Sequence, residues 1–289
     1  MSTAGKSLTF LAITFAISWG VTLGAHFAGL TREMNPYVGL AILVTMMTGP
    51  AIAAVICVFA FEKGRRIQAL GLRFKPNWWW LFAWAIPLAL AAMSIGATLL
   101  LGGRTYVDPG AAAAAAAAAQ GQDLSQVPPF FLTTTFVLLV SVFAGSLFNA
   151  PALTITEELG WRGYLYDLWR PSGFWRASIG TGVIWGIWHA PAILFYGLNY
   201  PSHAELGAAI FIVWCALLSP IMTLIRDRGG STWAAGIAHG TINAVAGVTI
   251  MTLNNPEFPW TGFVGIGGFV ALAIGVAVVA LVQRKPAAA

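Results

Sequence analysis

Charge is what this chain has least of. Of its 289 residues, 9% are Asp, Glu, Lys or Arg and 58% are hydrophobic, and the mean hydropathy is +0.78. A water-soluble domain carries several times that share of charge, so the solvent for most of this chain is a bilayer. Cysteine is scarce too. Cys57 and Cys215 each lie inside an apolar run, which excludes a disulfide framework or a Cys-rich metal site and leaves both a structural part. No H-E-x-x-H helix occurs, so no local zinc-protease signature is present. Polar stretches long enough for a sizeable extramembrane domain are absent. The Lys and Arg residues stand singly or in one short cluster, so a pI near 9.5 points to anionic headgroups and topology and not to nucleic acid.

What is there is a succession of apolar runs, each near the 20 residues that a crossing helix needs. Their punctuation predicts spans at 7–30, 37–61, 77–101, 129–168, 175–198, 206–226, 231–253 and 262–283. The fold class expected is therefore all-α, a polytopic bundle of about eight transmembrane helices, with residues 1–289 forming a single integral-membrane domain. The first apolar run is too long for a signal peptide and has no small-x-small cleavage site. The fourth is too long for a perpendicular crossing, and Pro151 must remove a helical hydrogen bond within it. The alanine run 111–119 predicts a short helix or low-complexity linker without chemistry.

Basic residues orient the bundle. Lys63, Arg65, Arg66, Arg73 and Lys75 follow the second span, and Arg170, Arg176, Arg226, Arg228, Arg284 and Lys285 fall on the same side; Arg32 and Arg104 are the basic residues of the opposite loops. Both termini are thus expected in the cytoplasm, and the Ala- and Gly-rich sequence without an evident organellar signal points to a prokaryotic inner membrane. Residues 62–76 read as a basic, partly amphipathic segment on the headgroups, with Trp78, Trp79 and Trp80 as an interfacial belt.

Against this background, Glu157 and Glu158, followed by Arg162, and the later His189 and His239 stand out. Ionisable side chains at membrane depth are costly and need named partners. Counted at the α-helical rise, Glu157 lies roughly 16 Å, His189 roughly 20 Å, His239 roughly 12 Å and Asn243 roughly 18 Å from the basic end of its span. They share one layer, which predicts a single buried site opening toward the basic side. Glu158 and Arg162, four apart, can pair, whereas Glu157 is turned by about 100° from Glu158 and stays free. A free carboxylate in a low-dielectric cavity suits a general base toward water, with His189 holding that water. His239 and Asn243, again four apart, present an imidazole and an amide suited to an oxyanion.

Glu157, His189 and His239 are equally a three-ligand set for Zn2+ or another divalent metal with an open fourth position, converging from separate helices. The residues leave metal-held and glutamate-activated water both open. A lone His or Asn in a membrane helix commonly just joins helices; four polar groups in one layer, with Glu158 beside them, argue for more. His26 and His203, at the outer edge, receive no role. A transporter would need a polar path on both sides and paired broken helices, whereas Pro151 alone is expected to interrupt this region. A non-catalytic immunity or scaffold protein would tolerate loss of Glu157.

Three motifs in order carry a resemblance. Glu157-Glu158-Leu159-Gly160-Trp161-Arg162 matches E-E-x-x-x-R, Trp185-Gly186-Ile187-Trp188-His189 is similar to F-x-x-x-H, and His239-Gly240-Thr241-Ile242-Asn243 matches H-x-x-x-N. Together they resemble the CAAX protease and bacteriocin-processing family, relatives of the type II CAAX prenyl endopeptidase. The resemblance implies an eight-helix intramembrane endopeptidase with Glu157 as base, Glu158 and Arg162 as a supporting pair, His189 at the water, and His239 with Asn243 at the oxyanion. It implies a membrane-associated protein or peptide substrate, prenylated in eukaryotic relatives, and membrane lipid as surroundings; metal-dependent and metal-free glutamate mechanisms are both argued for the family. Trp185 stands where the pattern has Phe, and a larger aromatic there narrows the cavity. Gly186-Ile187-x-His189 and Gly236-Ile237-x-His239 also repeat a short pattern.

Overall fold

A computed structural model describes residues 1–30 and 36–284; Arg32 and Lys285 lie outside them. Among the described residues, eight helices are long and apolar enough to cross a membrane: α1 Thr3–Phe27, α2 Tyr37–Phe61, α3 Trp78–Leu101, α4 Thr134–Ser172, α5 Phe174–Tyr196, α6 Ala204–Gly229, α7 Thr232–Met251 and α8 Ile266–Gln283. The protein is an all-α integral membrane protein. Lipid cannot satisfy a backbone group, so each crossing is a helix.

The ends are set by local chemistry. Ser2, Asn77 and Ser231 accept backbone N–H groups in the first turns of α1, α3 and α7, the usual N-cap arrangement. Gly173, Gly197 and Gly230 take positive φ at the turns that end α4, α5 and α6, where a side chain would be strained. Between α3 and α4, Pro109–Ala119 is a short helix capped by Asp108. The Thr134 hydroxyl and the Ala111 N–H hold the Asp108 carboxyl below the usual carboxylate range.

Small residues decide which helices meet. A Cβ on Gly236 would overlap Thr154 Oγ1, and one on Gly240 would overlap the backbone nitrogen of Ala150. Gly236-x-x-x-Gly240 therefore seats α7 directly on α4. On α5, a Cβ at Gly182 would lie 2.6 Å from the Cys215 carbonyl and one at Gly186 2.5 Å from Ile212 Cα, so Gly182-x-x-x-Gly186 seats α5 on α6. Close approach at small-x-x-x-small stripes is how membrane helices gain packing where the hydrophobic effect offers none.

Three expectations change. First, the segment Thr154–Leu165 of α4, which holds both glutamates, is a π-helix, as is Leu139–Ala144; the α-helical angles between the glutamates therefore do not apply along that stretch. Pro151 supplies no N–H shortly before it, and such wide turns often sit at functional sites. Second, Pro151 is not the one interruption: α2 breaks at Thr48 before Pro50, and α5 breaks at His189 before Pro191. The contrast with a transporter drawn from unbroken helices is lost. Third, residues 62–76 do more than lie on headgroups. Ala69 and Leu70 are buried, and the Leu70 and Gly71 carbonyls accept from Thr232 and Ser231 at the start of α7. Ile67, Phe74 and Trp78 remain exposed, as an interfacial segment requires.

Candidate active site

The site is assembled from α4, α5 and α7. Glu157, Glu158, Arg162, Trp185 and His239 are buried, each 3% exposed or less. Glu158 Oε1 accepts from Arg162 Nη1 at 3.0 Å, the pairing expected from their spacing. It also accepts from His239 Nδ1 at 2.8 Å, a contact no sequence spacing reveals because it spans α4 and α7. Arg162 lies over the Trp185 ring, 4.4 Å from its centroid. The Trp185 indole N–H donates to Glu157 Oε2 at 2.9 Å.

His189 owes its setting to Pro191. Its backbone N–H bonds Gly186 instead of continuing the α-helical ladder, and its Nδ1 takes the Trp185 carbonyl at 2.8 Å. A carbonyl only accepts, so Nδ1 carries the proton and Nε2 of the neutral ring is a lone pair. His239 is oriented alike by the Glu158 carboxylate. Its Nε2 is a lone pair in the neutral ring and donates to an oxyanion only when the ring is doubly protonated, so His239 is not the plain donor that spacing suggests.

Glu157, Trp185, His189, His239 and Asn243 line one cavity of ≈ 360 Å³, walled otherwise by apolar residues such as Met46, Trp188, Phe211, Trp214 and Phe263. Asn243 is exposed within it and His189 half-buried. Asn199, a polar wall residue at positive φ, escapes sequence reasoning; its turn position between Gly197 and Pro201 is the available signal. His26 and His203 lie outside, packed on Phe195 and Phe258. The cavity extends toward Leu40, Leu198, Asn199 and Val264. These residues lie on the side of the loops after α5 and α7, away from the basic segment 62–76 toward which the sequence predicts the opening. Depth counted along single helices can place the layer but not the gap between them.

The donor chemistry suits a metal in one respect, since each imidazole engages Nδ1 and leaves Nε2, as metal-ligating histidines do. Yet among the described residues no three His, Cys, Asp or Glu side chains converge as a metal-binding group, so the side chains as placed do not fit one.

These features define a class: an eight-span membrane protein whose buried Glu, His and Asn side chains converge on an apolar cavity. Residues 126–245 match the family of type II CAAX prenyl endopeptidase Rce1-like proteins. The chain is also 30% identical to CAAX prenyl protease 2 of Methanococcus maripaludis over 33% of this chain and 49% of that protein. The chain thus spans about half the length of the curated relative it matches. Both matches are likenesses over part of the chain, and the family match includes the segments that carry Glu157, Glu158, Trp185, His189, His239 and Asn243.

Proposed function

We propose that the protein is an intramembrane endopeptidase acting on a membrane-associated, CAAX-type protein or peptide. The observation that carries this reading is Glu157: a buried carboxylate with Oε2 committed to Trp185, lining the same cavity as His189, His239 and Asn243. A water held at His189 Nε2 gives a proton to Glu157 as its oxygen attacks the scissile carbonyl carbon. The Asn243 amide, and His239 Nε2–H when that ring is doubly protonated, meet the oxyanion. Glu157 then returns the proton to the leaving nitrogen as the C–N bond breaks. The apolar wall would receive an apolar part of the substrate. In this reading the basic loops and both termini face the cytoplasm, in keeping with the bias of Lys and Arg to that side, and the membrane is the inner membrane of a prokaryote.

Glu157→Gln keeps the size of the side chain and cannot take the proton. The purified variant should stay folded, bind substrate and show no cleavage of a membrane peptide, while Asn243→Ala slows cleavage by roughly 10²-fold. A Glu157→Gln protein cleaving at the wild-type rate overturns the mechanism, whereas a wild-type protein that cleaves no membrane peptide favours a non-catalytic scaffold role. Repeating the assay with a strong zinc chelator tests the metal-held alternative, because chelation abolishes only that one.

A further inference from the structure

Resting on the endopeptidase reading, we propose that Trp185 is a positioning residue for the reaction: its indole N–H fixes the Glu157 carboxylate in the one rotamer that turns its other oxygen to the attacking water. The bond is 2.9 Å long and joins two buried side chains. Among the described residues it is the one hydrogen bond that Glu157 makes through its side chain. A glutamate has three side-chain torsions, and a carboxylate in a roomy cavity would otherwise sample several of them. One anchored oxygen removes that freedom, and bonds to an ionised acceptor away from water are the stronger kind.

The anchor is itself held from every side. Arg162 covers the indole face at 4.4 Å. The His239 ring meets it edge-on with centroids 5.1 Å apart. The backbone carbonyl of Trp185 holds His189 Nδ1, and Gly182 and Gly186, one on either side in the sequence, lock α5 against α6. A single residue thus connects the base, the water-holding histidine and the Glu158, Arg162 and His239 cluster. A phenylalanine here would fill most of the same space and could not donate.

The test uses the full-length protein in lipid vesicles and an internally quenched peptide ending in a prenylated CAAX sequence. Trp185→Phe should lower kcat by about tenfold or more while KM stays within about twofold, since an orienting contact acts on the chemical step. An unchanged kcat, or a raised KM with unchanged kcat, overturns the proposal and leaves Trp185 a wall of the cavity. A second measurement needs neither turnover nor a folded Trp185 variant. Of the 13 tryptophan indole N–H resonances, one should move upfield in Glu157→Gln, where a neutral amide replaces the charged acceptor; no movement overturns the bond. Failure of the wild-type protein to cleave any peptide counts against the endopeptidase reading, and the resonance still decides whether Trp185 holds Glu157.

Discussion

At the scale of single residues, the site is organised by what each polar group does with its other end. Glu158 is committed twice, to Arg162 and His239, whereas Glu157 has one oxygen committed and lines the cavity. The pairing of Glu158 with Arg162 is legible from spacing, because the two are four apart. The bond from Glu158 to His239 and the bond from Trp185 to Glu157 are not, since each joins two helices distant in sequence. Arg162 is fully buried, and removing it strands a charge in the bundle. Arg162→Ala should cost about 3–5 kcal/mol of stability, read as a large drop in thermal midpoint and in folded yield from membranes. Unchanged midpoint and yield would sink the structural role of the pair. Arg162→Lys should also fall short of wild type, because a point charge lacks the planar face that covers Trp185.

At the scale of helices, existence and length follow from hydropathy, and the observed spans depart from the expected ones by a few residues at their ends. What hydropathy does not show is where the helices break or widen: the π-helical stretch carrying both glutamates, and the break at His189 whose signal, Pro191, stands two residues on. The repeated Gly-Ile-x-His pattern has a physical account as well. In both copies the glycine three residues before the histidine is pressed against a neighbouring helix, Ile212 on α6 for Gly186 and Thr154 on α4 for Gly236, so it fixes the height at which the imidazole enters the cavity. Gly240→Ala places a methyl against the backbone of Ala150 and must push α7 from α4. We expect about 1–3 kcal/mol of destabilisation from overpacking and a disproportionate loss of turnover, roughly 10²-fold, because His239 and Asn243 ride on that helix. Gly247→Ala, on the same helix with open space around its Cβ, is the control that should leave both unchanged. Equal effects from the two substitutions would show that helix propensity, and not the α4 contact, was being measured.

At the scale of the whole molecule, the bundle is braced at its basic end and hollow toward the other. Lys6 and Arg65 both pair with buried Glu62, and Arg65 continues to Asp167 at 2.5 Å, which ties the start of α1, the end of α2 and the end of α4 together. Composition makes the bilayer and the bundle legible, and the polar layer makes a site legible; the direction of the cavity depends on gaps between helices that no one-dimensional pattern records. The consequence is geometric: the basic segment 62–76 and the Asn199 side of the cavity lie on opposite faces. If the basic segment 62–76 faces the cytoplasm, Asn199 at the cavity wall faces outward. The two native cysteines are buried, so single-cysteine probes report cleanly. In intact cells a membrane-impermeant maleimide should label Asn199→Cys, and should reach Lys63→Cys, on the exposed basic loop, only after permeabilisation. The reverse pattern would overturn the orientation while keeping the fold, and labelling of both from one side would contradict the placement of the cavity itself.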